Sequence, residues 1–399
     1  MVRKILVSAL TTIVLVILVA GAFAGGFAVS RTLFPPPLPA DGGAPSEWKA
    51  PIAIFWEAWG YVHQDFFKTP LDDDALVYGT VGGMVEALGD PHTTFIDAKR
   101  AEIVRTNMQG SFEGIGATIT MREGRLTIIS IIKGSPAERA GLRAEDIILQ
   151  VGDKVIQNMD VTEAVMLIRG PKGTQVKLLI LRGKQDPFSV EITRDTIRIP
   201  FVESKMLEGT KIGYIRLNEF GATASNEIVA ALREIGAQNP SGLILDLRNN
   251  PGGYLPVSID VASQFLQPNQ TVLVVKDKKG NADTYRAKSG GVATRVPLVV
   301  LIDKGSASAS EIVAAALKDH QRATLIGTKT FGKGSVQHVY TLSDNSQLNV
   351  TIARFFSPNG NEINDVGVTP HLVVEITDED IDAQRDPQLD AAVKFLTGK

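Results

Sequence analysis

Two segments bring together side chains able to do nucleophilic chemistry. The first, Asp303-Lys304-Gly305-Ser306-Ala307-Ser308-Ala309-Ser310-Glu311-Ile312, follows the apolar run Leu298–Ile302 and opens an apolar helical stretch. A serine at a strand-to-helix turn projects its hydroxyl at the helix N-terminus, among free N–H groups and the positive end of the dipole. Such donors hold the oxyanion of a tetrahedral intermediate. The second segment, Thr330-Phe331-Gly332-Lys333-Gly334-Ser335-Val336-Gln337, sets a lysine between two glycines just after the apolar run 323–326. A serine hydroxyl is a poor nucleophile until a base takes its proton. A lysine is such a base only when neutral, and burial favours that state by lowering its pKa. The glycines let the backbone crowd round Lys333, and the preceding Phe331 favours a dry setting. Gln337, four residues on, is placed to orient the amine or the nucleophile through its amide. Acyl transfer by a serine and a lysine is therefore the expected chemistry.

Other chemistries have less behind them. The histidines His63, His92, His320, His338 and His371 sit in no trypsin-like or Gly-x-Ser-x-Gly context, although His338 lies close to the lysine segment. There is no cysteine, which excludes disulfides, thiolate catalysis and cysteine-bound metal. No His-Glu-x-x-His pattern offers a zinc site. No metal and no cofactor are expected. Asp72-Asp73-Asp74 lacks the ligand spacing of a calcium loop and reads as a helix N-terminus. Gly114-Ile115-Gly116 has Ile119 where a dinucleotide motif needs its third glycine, and it opens no helix. A formal net charge of −3, with no basic run interleaved with aromatics, gives nucleic acid nothing to bind.

These residues need a scaffold, and 399 residues, 44% of them hydrophobic, suffice for two or three domains with separate cores. Arg3 and Lys4 precede an apolar run over 5–29, long enough as a helix to cross a bilayer core. Residues 1–30 are expected to form an uncleaved transmembrane signal anchor, with the rest periplasmic or extracellular. Cleavage at Ala22-Phe23-Ala24 would instead give a secreted protein. A Pro/Gly-rich linker is expected over 31–47. Residues 48–105 read as helical, with Ile52, Phe55, Trp56 and Trp59 at helical spacing and a second periodic run over 75–88. Over 106–195 short β-like runs at 115–121, 126–132, 146–151 and 176–182 are punctuated by glycines, with one helix at Val161–Ile168. Over 196–399 strands and helices alternate, the pattern of an α/β domain round a largely buried sheet. Strands are expected at Ile212–Leu217, 243–247, 272–276, Leu298–Ile302 and 323–326. Helices are expected at 225–235, 254–265 and 308–317, with a terminal helix at 387–396.

Within the middle block, Gly134-Ser135-Pro136-Ala137-Glu138-Arg139-Ala140-Gly141-Leu142, then Asp146-Ile147-Ile148 and a hairpin at Val151-Gly152-Asp153, resemble the PDZ family. The resemblance implies that residues 106–195 hold an extended peptide as an added strand at a sheet edge. The terminal carboxylate would enter a loop containing Phe112, Glu113, Gly114, Ile115 and Gly116, with Phe112 or Ile115 lining the pocket for the last side chain. Arg169, at the end of the helix, either couples tail binding to the active site or belongs to a surface turn.

Joined to this block, the serine and lysine segments are similar to those of the carboxyl-terminal processing peptidases, the tail-specific or S41 peptidases. Two further matches are Gly89-Asp90-Pro91-His92-Thr93 and Leu245-Asp246-Leu247-Arg248-Asn249-Asn250-Pro251-Gly252-Gly253, so the likeness runs from about residue 50 to the end. It implies a chain of mixed α/β and β domains: a PDZ domain inserted before a ClpP/crotonase-like α/β peptidase core, with an N-terminal helical segment and the transmembrane anchor. It makes Ser308 the nucleophile, Lys333 the base and Gln337 their partner. It assigns oxyanion amides to Ala309 and to Gly252 or Gly253, and a supporting role to Glu311. Arg248 is expected to pair with an acid such as Asp246, without a catalytic role. The implied partners are proteins with accessible apolar C-termini, and the helical block and terminal helix are expected to support a homodimer. The alternative is a membrane-bound PDZ scaffold or holdase that binds tails without cutting them.

Overall fold

A strand that is apolar at every position has to be covered on both faces, and all five residues of Leu298–Ile302 are buried. The computed structural model describes residues 46–157 and 159–398. The expected anchor over 1–30 lies outside the described residues, as does the expected linker up to residue 45; a helix already opens at Ser46. Among the described residues no helix is long and apolar enough to cross a membrane.

The chain divides into two units at Leu76. In the first, helix α1 (Ser46–Asp65) stacks Phe55, Trp56 and Trp59 along its surface, with ring centroids 4.9 to 6.4 Å apart. His63 Nε2 meets Asp73 Oδ1 at 2.8 Å where helix α2 (Asp73–Glu86) opens.

In the second unit, Gly89-Asp90-Pro91 stops α2 and a short strand β1 (Thr94–Ile96) follows, so the expected helical block is interrupted. Helix α3 (Ala98–Met108) is capped by Asp97, whose carboxylate accepts the Arg100 N–H at 2.9 Å. The middle block then begins with β2 (Ser111–Gly114), β3 (Ala117–Arg122), β4 (Arg125–Ile131) and the short helix α4 (Pro136–Arg139). It continues through β5 (Ile147–Val151), β6 (Lys154–Val155) and α5 (Val161–Ile168), the helix read from the sequence. It closes with β7 (Gln175–Leu181), β8 (Phe188–Thr193) and β9 (Asp195–Arg198), which pairs back with β2. The sheet runs β3-β4-β5-β7-β8, all antiparallel, with β6 on β5 and β3 as an edge. Leu126, Ile128, Ile148, Leu178 and Ile180 form its separate core. Asp146, wholly buried, takes two arms of the Arg182 guanidinium at 2.7 Å each, a bidentate pair that explains the Asp-x-Ile pattern.

The remainder holds β10 (Val202–Met206), β11 (Ile212–Leu217), α6 (Ala224–Gly236), β12 (Gly242–Asp246), α7 (Leu255–Ser263), β13 (Thr271–Asp277) and β14 (Ala282–Arg286). After these come β15 (Leu298–Ile302), α8 (Ala309–Asp319), β16 (Thr324–Gly327), β17 (Ser335–Thr341), β18 (Gln347–Phe356), β19 (Leu372–Val373), α9 (Asp378–Asp382) and α10 (Pro387–Thr397). The central sheet runs β10-β11-β12-β15-β16-β19 and is parallel from β11 onward. Successive residues of a strand point to opposite faces. Leu298, Val300 and Ile302 therefore join Ile228 of α6, Val261 of α7 and Val313 of α8, while Val299 and Leu301 join Ala392 of α10.

A second sheet, absent from the sequence reading, runs β1-β18-β13-β14 with β17 on β18. It takes β13 out of the central sheet. The hairpin β17–β18 turns at Asn345, whose φ is +69°, with Asp344 Oδ1 accepting the Ser346 N–H at 2.9 Å.

Candidate active site

Open α/β sheets present their binding loops at the carboxyl ends of the strands. Here β12, β15 and β16 are consecutive neighbours, about 4.8 Å apart as hydrogen-bonded strands must be. The segments that follow them, 247–254, 303–308 and 328–334, therefore meet. Asp303 Oδ1 accepts the N–H groups of Asn249, Gly305 and Ser306 at 2.9 to 3.0 Å, tying two of these loops together. Ser306 Oγ donates to the Leu247 carbonyl at 2.8 Å, and Ser310 Oγ to the Asn250 carbonyl at 2.9 Å. Buried Asn250 in turn donates Nδ2 to the Leu217 carbonyl at 2.7 Å. Those two serines are structural ties, which leaves Ser308 as the member of the trio lining a cavity of about 490 Å³.

Ser308 is the N-cap of α8 with φ +53° and ψ −112°. A side chain in such a conformation costs roughly 1–3 kcal/mol unless its surroundings fix it. Glu311 does so. Its carboxylate is wholly buried and accepts four donors. Oε2 takes the Ser308 N–H at 2.8 Å and the Lys333 N–H at 2.9 Å, while Oε1 takes the Thr330 hydroxyl and the Gly332 N–H at 2.6 Å each. Burial pushes the Glu311 carboxyl up, and those donors pull against it.

Lys333 lines the same cavity. Burial lowers its pKa, while the charge of Asp90 raises it. No hydrogen bond links the Ser308 and Lys333 side chains. Asp90 belongs to the Gly-Asp-Pro-His-Thr run. Burial works to raise its pKa, but hydrogen bonds from Thr351, Thr93 and the His92 N–H prevail and hold it at about 2. Gln337, on β17, also lines the cavity; its Nε2 donates to Ser335 Oγ at 2.7 Å.

Among the amides near Ser308, that of Gly252 donates to Asn250 Oδ1 at 2.9 Å. The N–H groups of Gly253 and Ala309, both at the cavity, have no acceptor among the described residues. Gly252 (φ +108°) and Gly253 (φ +138°) adopt conformations that a β-carbon opposes. A β-carbon on Gly252 would also stand 2.8 Å from Ser308 Cβ. Pro251, Leu255, Ile312, Val336 and Phe355 give the cavity an apolar lining.

Arg248 does not face this cavity. It is buried between Asp246, at 2.6 Å, and Asp386, at 2.8 Å, and also donates to Gln388 at 3.1 Å. Burial lowers its pKa, but hydrogen bonds to the two acids outweigh that and raise it. The cluster fastens the stem of the Asn249–Gly253 loop to the start of α10.

A second cavity, about 330 Å³, lies along edge strand β3 beside α5. Phe112, Ile115, Gly116 and Arg169 line it, with Ile132 and Val165 among its apolar walls. Glu113 and Gly114 do not: the loop expected there is strand β2 as far as Gly114, paired with β9. Arg169 donates to Thr106 Oγ1 at 3.0 Å and Asn107 Oδ1 at 2.9 Å on α3, and its guanidinium lies 4.1 Å above the Phe112 ring. Helix α3 serves both cavities: Ile103 and Asn107 face this groove, whereas Val104, Arg105 and Met108 face the one with Ser308.

Sequence reasoning gave no role to Asp90, Thr93, Thr330, Asn250, Ser335 or Thr351. The first five sat inside quoted motifs; Thr351 had only the β-alternation of its strand to mark it. Among the described residues no group of three or more His, Asp or Glu side chains is placed to hold a metal ion.

Residues 211–374 match the model of peptidase family S41, and residues 127–182 that of the PDZ domain. The chain is 39% identical to a carboxy-terminal-processing protease of Bartonella bacilliformis, over 81% of this chain and 75% of that one. It is 37% identical to carboxy-terminal processing protease CtpA of Bacillus subtilis, over 86% of this chain and 72% of that one. A solved structure from Bacteroides fragilis described as an S41 protease superposes with a TM-score of 0.55 at 19% identity, over 84% of this chain and 91% of that one, a likeness of fold alone. Identity of 39% and 37% over more than four fifths of the chain sets aside the non-enzymatic scaffold: the chain belongs to the S41 carboxy-terminal processing peptidases, serine-type endopeptidases with a PDZ domain.

Proposed function

We propose that this endopeptidase cuts proteins near their C-termini with Ser308 as nucleophile and Lys333 as general base, after its PDZ domain has gripped the tail. The observation that carries the proposal is the common seat of the two residues, which line one cavity with their backbone amides on a single Glu311 oxygen. Neutral Lys333 Nζ takes the Ser308 proton as Oγ attacks the scissile carbonyl carbon. The N–H groups of Gly253 and Ala309 receive the oxyanion. Collapse breaks the C–N bond, and the Lys333 ammonium protonates the leaving amine. Water, deprotonated by Lys333, then attacks the acyl ester, and the proton returns to Ser308.

The apolar groove on β3 favours apolar tails, and Arg169, in contact with both the groove and α3, is our candidate for coupling occupancy to catalysis. The apolar run over 5–29 after Arg3 and Lys4 supports a membrane anchor and an extracytoplasmic site of action. The exposed Ile54, Trp56 and Tyr61 of α1 support a homodimer.

The test is a reporter protein with an apolar tail, followed by intact-mass spectrometry. Wild type should shorten it. Ser308→Ala and Lys333→Ala should bind it and leave it whole. Cleavage by Lys333→Ala at the wild-type rate would remove this base from consideration.

A further inference from the structure

Ser335 and Gln337 of β17, and Lys333 just ahead of it, all line the cavity that holds Ser308. Ser335 is 5% exposed. Gln337 Nε2 donates to Ser335 Oγ at 2.7 Å and lies 3.5 Å from Thr351 Oγ1 on β18. A carboxamide nitrogen has two hydrogens and no acceptor capacity, so these hydroxyls occupy it. The carboxamide oxygen has no donor among the described residues. The support is itself fixed: the Thr351 N–H donates to Thr93 Oγ1 at 3.1 Å, and Thr93 Oγ1 donates to Asp90 Oδ2 at 2.6 Å. The ladder shifts register between Val336 and Gln337, which sets Gln337 opposite Thr351.

We propose that Ser335 is a positioning residue for the Ser308–Lys333 reaction. By accepting the Gln337 N–H it leaves the carboxamide oxygen free, in the cavity it shares with Lys333, to accept from Lys333 Nζ during the reaction. A neutral amine has two N–H bonds and one lone pair, so the direction of its lone pair follows from where its hydrogens are held. With one N–H on Gln337 Oε1, the lone pair is free to face Ser308 Oγ. After proton transfer the same oxygen accepts from the ammonium and raises its pKa. Without Ser335 the carboxamide turns and both effects weaken.

This inference rests on the dyad reading, and the experiment separates the two. Steady-state kinetics on a tailed reporter are measured across pH for Ser335→Ala, Gln337→Ala, the double variant and Lys333→Ala, with thermal unfolding of each. Ser335→Ala should lower kcat about tenfold or more and leave KM within about twofold. Its rising limb of kcat against pH should move to lower pH, because the ammonium has lost an acceptor. In the Gln337→Ala background it should cost nothing further, since both residues act through one contact. A Ser335→Ala enzyme with unchanged kcat, or losses that multiply in the double variant, would overturn the inference while an inactive Lys333→Ala keeps the dyad. An active Lys333→Ala would overturn both. Loss of folding in Ser335→Ala alone leaves the Gln337→Ala pH profile to decide: an unmoved limb there refutes the proposal.

Discussion

The backbone N–H groups of Ser308 and Lys333 donate to the same atom, Glu311 Oε2, at 2.8 and 2.9 Å. The two residues arrive on loops that follow different strands, β15 and β16. One oxygen therefore sets the distance between their backbones, and a change there is felt by both.

Glu311→Gln keeps the shape but replaces one acceptor oxygen by a donor nitrogen. At least one buried donor loses its partner, at a cost of about 1–3 kcal/mol for each group left unpaired. The expected outcome is a lower melting temperature and a kcat reduced about a hundredfold, read by calorimetry and reporter cleavage. A variant as active as wild type would show that this carboxylate does not register the pair.

Activity should climb with pH, because only neutral Lys333 accepts a proton. The climb should begin below the ordinary lysine value of about 10.4, since burial lowers this pKa. The charge of Asp90 opposes that lowering. Asp90→Asn should therefore move the rising limb to lower pH, measured as kcat/KM against pH. A limb that stays in place would separate Asp90 from the lysine.

Gly252→Ala should remove activity while sparing tail binding. The new β-carbon would stand 2.8 Å from Ser308 Cβ and 2.9 Å from the Ala307 carbonyl oxygen. Its φ of +108° also disfavours any side chain. We expect kcat to fall by about 10² or more, with binding of a fluorescent C-terminal peptide unchanged. Weakened peptide binding would mean that the damage had spread to the PDZ groove.

Arg248→Ala leaves buried Asp246 with the hydroxyl of Tyr214, which donates at 2.7 Å, and without its cation. Breaking a buried pair from one side costs about 3–5 kcal/mol. Urea unfolding should show this loss, and Asp386→Asn a smaller one, because Asp386 is partly exposed. Equal stability of Arg248→Ala and wild type would contradict a stabilising pairing of Arg248 with Asp246 and Asp386.

The parallel core was legible because its strands announce themselves. Leu298–Ile302 is apolar throughout, and Ile212–Leu217 was read at its observed bounds. The α5 helix was equally plain, since Asp160 caps it and its apolar stripe is regular. The antiparallel sheet escaped because β17 and β18 are half-exposed and mix polar with apolar side chains, so neither period dominates. The signals were a turn at Asp344-Asn345-Ser346 and β-branched residues at Val350, Thr351 and Ile352. The site residues were readable as types, yet their supports were not. No pattern in one chain tells that Asn250 occupies the Gly252 amide, or that Thr93 reaches Thr351 across 258 positions. The strand at Ser111–Gly114 replaced an expected loop because its partner, Asp195–Arg198, lies some eighty residues away.

Helix α3 has Ile103 and Asn107 on one cavity and Val104 and Met108 on the other, so under the proposed mechanism it would act as a ruler. A helix with its side chains is about 10 Å across, and an extended chain advances roughly 3.3 Å per residue. A polypeptide held at both places at once must spend about three residues rounding that obstacle. Any piece released in the same stroke carries at least those residues, so trimming by one or two from the end would require a grip other than the groove on β3.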